Sequence, residues 1–276
     1  MRIEPSGMAC GAEVTGIDLA QPLAPGDVAA LRAAWTRHLV LAFPDQDLDD
    51  DALERFTLAF GAFGEDPFIA PIAGREHVIA VARGADETAP IFAEAWHTDW
   101  SFQVVPPDGT CLYGITIPGR GGDTLFANQQ AALAAMPPAL LDRVRDAVAV
   151  HSARAGYAPD GMYGANDKGR TMDIRPSESA LALQRHPLIR RHPETGVPAI
   201  YGAPGYIVAL EGVDDPQGLM MELYAWQTQE RFVYRHQWRP RMLVMWDNRA
   251  VLHKATGGYD GEARLLHRTT IGGTAF

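Results

Sequence analysis

Short β-rich segments closed by glycine- or proline-rich turns recur along this chain, and they restrict its fold more than any other feature. CLYGITIP (111–118) runs into the turn GRGGD, and DTLFAN (123–128) follows at once, which predicts two strands joined by a hairpin. MLVMWDN (242–248) and RLLHRTTIG (264–272) read as further strands. Helical spacing appears between them. Residues 27–39 place Val28, Leu31, Trp35 and Leu39 three or four apart, and 50–60 repeats the pattern with Leu53, Phe56 and Phe60. Residues 129–144 and 217–232 read as helices too, the first interrupted at Pro137 and Pro138. The expectation is a mainly β fold with peripheral helices, a double-stranded β-helix (jelly roll), rather than a doubly wound parallel sheet.

Proline and glycine are dispersed as turn punctuation, with no linker, repeat or low-complexity tract, so one domain over 1–276 is expected. A net charge of -10 argues against a surface that tracks phosphates, so no nucleic-acid partner is expected, although a local basic pocket is compatible with it. Cys10 and Cys111 do not suggest a disulfide framework, and the N-terminus lacks a signal-peptide pattern. A cytoplasmic setting with no membrane partner is the simpler expectation, and a homo-oligomer is compatible with it.

The chemistry is carried by a split set of residues. His97 and Asp99 lie in EAWHTDWSF, and His253 lies far downstream. His-x-Asp alone is a weak signal, and its plain reading is a surface turn with a capping Asp. On a strand, however, residues two apart share a face and could reach one ion, with Trp96 and Trp100 as apolar walls. Two imidazoles and a carboxylate can occupy one face of an octahedral Fe(II), leaving the other open to a chelating cosubstrate and O2. Arg264 and Arg268 are also four apart on a predicted strand and share a face. Buried guanidinium groups need anionic partners, which a dicarboxylate cosubstrate and an anionic substrate would supply; otherwise the two arginines are surface residues.

At this point the chain resembles the TauD/TfdA group of Fe(II)- and 2-oxoglutarate-dependent dioxygenases. GAEVTGIDLAQPL, RHLVLAFPDQ, WHTDWSF, GGDTLFAN, HPLIRRHPETG and WDNRAVLHKATGGYDGEARLLHRTTIGG follow the family's order nearly end to end. The resemblance implies that His97, Asp99 and His253 ligate iron. It implies that Arg264 clamps the distal carboxylate of 2-oxoglutarate with help from Thr124, a task that suits a planar guanidinium. Arg268 would bind the anionic end of a small acid substrate, a carboxylate or sulfonate, and Trp246 would be a wall near the iron. The implied reaction hydroxylates a C–H bond while 2-oxoglutarate becomes succinate and CO2, without a general base. The intact Asp99 argues against a halogenase.

The substrate pocket departs from the taurine enzyme. FGAFGEDPFIAP has Asp66 and no His after the FG turn, which makes taurine doubtful if Asp66 lines the pocket rather than facing solvent. Trp100, Tyr201 and Trp246 are expected to surround an apolar or aromatic substrate body. Residues 152–170 read as a mobile loop over the site, with Arg154 or Tyr157 reaching the substrate. His186 and His192 are read as structural, while His151, His236 and His267 carry no assignment. The acidic run DLDDDALERF is read as a helix start. The alternatives from other classes are a metal-dependent hydrolase, which would leave the arginine pair unexplained, and a non-catalytic ligand-binding jelly roll.

Overall fold

The chain alternates short strands with turns, as its glycine and proline spacing predicts. A computed structural model describes residues 1–165 and 167–274. Position 166 of the expected loop at 152–170, and the last two positions of the expected 1–276 domain, lie outside the described residues. The strands are β1 (Arg2–Pro5), β2 (Ala12–Thr15), β3 (Val40–Phe43), β4 (Ile79–Arg83), β5 (Gly109–Thr116), β6 (Thr124–Asn128), β7 (Val148–His151), β8 (Gln184–Pro187), β9 (Ile189–Arg191), β10 (Pro198–Ile200), β11 (Ile207–Glu211), β12 (Val233–His236), β13 (Leu243–Asp247), β14 (Val251–Ala255) and β15 (Arg264–Ile271). The helices are α1 (Pro25–His38), α2 (Asp50–Leu58), α3 (Gln129–Ala134), α4 (Pro138–Val144), α5 (Arg154–Tyr157) and α6 (Pro216–Gln227).

A large sheet runs β1-β2-β3-β13-β5-β15-β4, and a small one runs β12-β6-β14. Strand alternation explains how they pack. On β3 and β13, Leu41, Phe43, Leu243 and Met245 face Leu31, Trp35, Leu53 and Phe56 of α1 and α2. Val40, Ala42, Val244 and Trp246 point the other way and pack with Phe126 and Val251 of the small sheet. The result is the expected jelly roll, with α1 and α2 covering the outer face of the large sheet. Among the described residues, no helix is long and apolar enough to cross a membrane.

The expected hairpin between 111–118 and 123–128 does not form. β5 pairs with β13 and β15, whereas β6 pairs with β12 and β14. The GRGGD turn therefore crosses from one sheet to the other. Gly121 and Gly122 both have φ of 67°, and a Cβ on Gly121 would lie 2.7 Å from the Gly257 carbonyl oxygen. Local sequence signals a turn but not which sheet receives the next strand. The helix at 129–144 divides at its prolines into α3 and α4, as expected, and the pattern at 217–232 resolves into α6 followed by a short 3-10 turn, Glu230–Phe232. The acidic run does start a helix: the Asp49 side chain caps α2 by accepting from Ala52 N at 2.8 Å. Cys10 and Cys111 are both buried and unpaired.

Candidate functional site

The two histidines of the split set are joined through the backbone. His97 N donates to His253 O at 3.0 Å, and His253 N donates to His97 O at 2.7 Å. A reciprocal antiparallel pair places both side chains on one face, and their ring centroids are 4.2 Å apart. His97 thus pairs beside β14 through one isolated bridge. Asp99 is not on a strand, as the two-apart argument assumed, but in a turn that Trp100 closes with φ of 47°, a left-handed conformation uncommon for a bulky residue.

Asp99 is oriented by a chain of donors. Trp246 Nε1 donates to Asn248 Oδ1 at 2.9 Å, Asn248 Nδ2 to Thr110 Oγ1 at 3.0 Å, and Thr110 Oγ1 to Asp99 Oδ2 at 2.6 Å. Asp99 Oδ1 is left facing the Nε2 atoms of His97 and His253, each 3.7 Å away and too far for a hydrogen bond. His97 Nδ1–H donates to the Ala95 carbonyl at 2.8 Å, which leaves the Nε2 lone pair free in the neutral ring. Burial pushes both histidines toward the neutral form, His253 down to about 3. Burial also opposes the charge on Asp99, but Arg268, then His253, His97 and the Thr110 hydroxyl, outweigh it and hold the carboxyl at about 2. One carboxylate and two neutral imidazoles, with ligand atoms all within 4.8 Å of one another, are a donor set for a divalent ion.

Arg264 and Arg268 are both buried on β15, but their surroundings differ. Arg264 has no carboxylate within ion-pair distance among the described residues; Nη2 reaches Gly122 O at 3.3 Å and Nε has no partner. Burial lowers its pKa to about 10. Thr124 Oγ1 is buried in the same region and accepts from Trp238 Nε1 at 2.9 Å, while the Arg264 guanidinium lies 5.8 Å from the Trp238 ring centroid. Arg268 Nη2 instead lies 3.1 Å from Asp66 and 3.4 Å from Asp99.

A cavity of about 460 Å³ opens above the triad. Besides His97, Asp99, Trp100 and Arg268, its walls include Phe92, Tyr157, Tyr163 and Tyr206.

The family described as Taurine catabolism dioxygenase TauD, TfdA family matches residues 2–270. The chain belongs to the TauD/TfdA family. An alpha-ketoglutarate-dependent sulfate ester dioxygenase of Pseudomonas putida is 29% identical to it, across 98% of this chain and 89% of the relative. An (S)-phenoxypropionate/alpha-ketoglutarate-dioxygenase of Delftia acidovorans is 32% identical, across 92% of this chain and 89% of the relative. The crystal structure of a taurine dioxygenase from Burkholderia xenovorans superposes with a TM-score of 0.82 at 28% identity, covering 99% of this chain and 91% of that one. The protein is a 2-oxoglutarate-dependent dioxygenase of a family that uses Fe(II), 2-oxoglutarate and O2. This decides against the hydrolase and the non-catalytic jelly roll.

The dioxygenase departs from several sequence expectations around its cavity. Asp66 does not face solvent: its carboxylate is enclosed between Arg268, Trp100 Nε1 at 2.7 Å and Thr270 Oγ1 at 3.1 Å. It is also not among the cavity-lining residues. Tyr201 does not line the cavity either; the Arg190 guanidinium stacks on its ring at 4.0 Å, and Tyr206 takes the wall position. Trp246 and Trp96 are likewise absent from the lining. Trp246 packs behind His253 with ring centroids 4.8 Å apart, and Trp96 packs with Ala127, Ala203 and Leu252. In the loop at 152–170, Tyr157 reaches the cavity, but Arg154 is exposed and lies 3.8 Å from Asp160. Thr110, Asn248 and Tyr206 were missed because no local motif marks a residue whose role is to contact a distant one.

Proposed function

We propose that this dioxygenase hydroxylates a C–H bond of a small organic acid, of the carboxylate or sulfonate class, and that residues 1–276 act in this as one domain. His97, Asp99 and His253 hold Fe(II). Arg264 and Thr124 hold the distal carboxylate of 2-oxoglutarate, and Arg268 meets the anionic end of the substrate. With 2-oxoglutarate and O2 bound, the iron supplies the oxidising chemistry, in which 2-oxoglutarate becomes succinate and CO2. The protein positions the reactants and excludes water: Trp100, Tyr157, Tyr163 and Tyr206 form a largely aromatic wall suited to an apolar or aromatic substrate body. No side chain is assigned as a general base.

The observation that carries this reading is the buried Arg264 guanidinium, which has no carboxylate partner among the described residues. Such a group is costly unless an anion completes it. The relatives named for sulfate ester and phenoxypropionate oxidation support an organic acid as the second anion. The largely aromatic wall suits a larger apolar body better than a sulfonate as small and polar as taurine.

The test is a panel of aryl and alkyl carboxylates, sulfonates and sulfate esters, scored by succinate release together with the hydroxylated product. Turnover of at least one apolar-bodied acid is expected, with Arg268→Ala raising its KM. Efficient turnover of taurine, or an Arg268→Ala variant with unchanged KM and kcat, would defeat the substrate assignment.

A further inference from the structure

We propose that Asp66 is a positioning residue that holds Arg268 off the iron ligand Asp99. The proposal rests on the reading of His97, Asp99 and His253 as the metal ligands. Arg268 Nη2 stands between two carboxylates, 3.1 Å from Asp66 Oδ1 and 3.4 Å from Asp99 Oδ1, and it hydrogen-bonds to neither. Asp99 Oδ1 is the same oxygen that both imidazole Nε2 atoms face. A metal ion and the guanidinium therefore compete for one atom. If Arg268 closed onto Asp99, it would neutralise the only carboxylate in the ligand set and bring a positive charge against a divalent cation.

Asp66 is built to oppose that movement. Its loop is tied to β15 by Gly64 N, which donates to Thr270 O at 2.8 Å, and by the bridge between Phe63 and Ile271. Its carboxylate is fixed by two further donors: Oδ1, the oxygen that faces Arg268, accepts from Trp100 Nε1, and Oδ2 accepts from Thr270 Oγ1. The Arg268 guanidinium also lies over the Trp100 ring, 4.9 Å from its centroid. Trp100 directly follows Asp99, so the same contacts brace the ligand turn. Because Asp66 does not line the cavity, it acts through Arg268 rather than on the substrate.

The test is a double-mutant cycle read by metal binding instead of turnover. Mn(II) is titrated into metal-free wild type, Asp66→Asn, Arg268→Gln and the double variant, with free Mn(II) followed by electron paramagnetic resonance. Asn keeps the shape and an acceptor for Trp100 while removing the charge. Asp66→Asn is expected to raise the Mn(II) Kd about tenfold, the scale of an outer-shell effect on metal affinity. The double variant is expected to bind as tightly as Arg268→Gln alone. An unchanged Kd in Asp66→Asn overturns the proposal. So does a loss that persists at full size without Arg268, because the carboxylate would then act by its own field. If Asp66→Asn fails to fold, Asp66→Ser carries the same cycle. Wild type that binds no Mn(II), or binding that survives His253→Ala, breaks the ligand assignment and overturns this inference with it, whereas an unchanged Kd in Asp66→Asn beside lost binding in His253→Ala overturns the inference alone.

Discussion

Two buried clusters of histidine, aspartate and arginine lie close together in this protein, and folding treats them in opposite ways. In the first, Asp247 at the end of β13 is fully used. Its Oδ2 accepts from His192 Nε2 at 2.9 Å and Arg249 Nη2 at 2.7 Å, and its Oδ1 accepts from Arg249 Nε at 2.8 Å and Arg249 N at 3.0 Å. His192 Nδ1 accepts from Glu194 N at 3.2 Å, and Arg249 Nη1 donates to Glu194 Oε1 at 2.8 Å. In the second, the ligand atoms of His97, Asp99 and His253 face one another without hydrogen bonds, and His253 Nδ1, Arg264 Nε and Arg268 Nη2 have no hydrogen-bond partner among the described residues. A buried polar group left unsatisfied is costly and normally rare. The first cluster is completed by the chain and is structural. The second keeps its imidazole Nε2 atoms and the Arg264 guanidinium without a carboxylate or hydrogen-bond partner that completes them among the described residues, which is what the proposed metal and cosubstrate require.

The sharpest way to break this contrast is to remove a ligand. His97→Ala, Asp99→Ala or His253→Ala should each abolish turnover and Mn(II) binding, with little change in the melting temperature of the metal-free protein. Retained oxidation at normal metal occupancy in any of them would remove that residue from the ligand set.

The complementary substitution is Asp247→Ala, which leaves Arg249 and His192 buried without their acceptor. It should cost about 3–5 kcal/mol of stability, read by denaturant unfolding, while the folded fraction still binds Mn(II) normally. The sign with pH is defined. Burial opposes the charge of Asp247, but Arg249 and His192 outweigh it and depress its pKa. Its contribution is therefore present above the usual carboxylate pKa and is lost as pH falls through the depressed folded value. A small stability loss combined with lost metal binding would invert the comparison.

The mildest change is at Arg264, whose partner is expected to be the cosubstrate. Arg264→Ala should raise the KM for 2-oxoglutarate by roughly 30- to 150-fold, corresponding to about 2–3 kcal/mol for charge-assisted hydrogen bonds. The metal-free protein should be no less stable, because the variant removes an unpaired buried charge. An unchanged KM would place the cosubstrate carboxylate elsewhere.

The sequence by itself determined what obeys short-range rules. Turn punctuation and strand alternation give the jelly roll, Pro137 and Pro138 divide a helix, and Asp49 begins one. The ordered motifs identify the family and nominate His97, Asp99, His253 and Arg264. Tertiary structure alone decided the partners of these residues. It sent β5 and β6 to different sheets, placed Asp66 behind Arg268 instead of in solvent, and put Tyr206 on the cavity wall where Tyr201 was expected. It also turned Trp246 to support His253 and left Arg154 outside the site. The physical reason is range: strand and helix patterns arise from neighbouring residues, whereas a buried charge is matched by whatever the packed sheets bring beside it. Asp66 and Arg268 are far apart in sequence, and the pinning of the loop at Phe63 and Gly64 onto β15, with the Trp100 and Thr270 hydrogen bonds, brings them together.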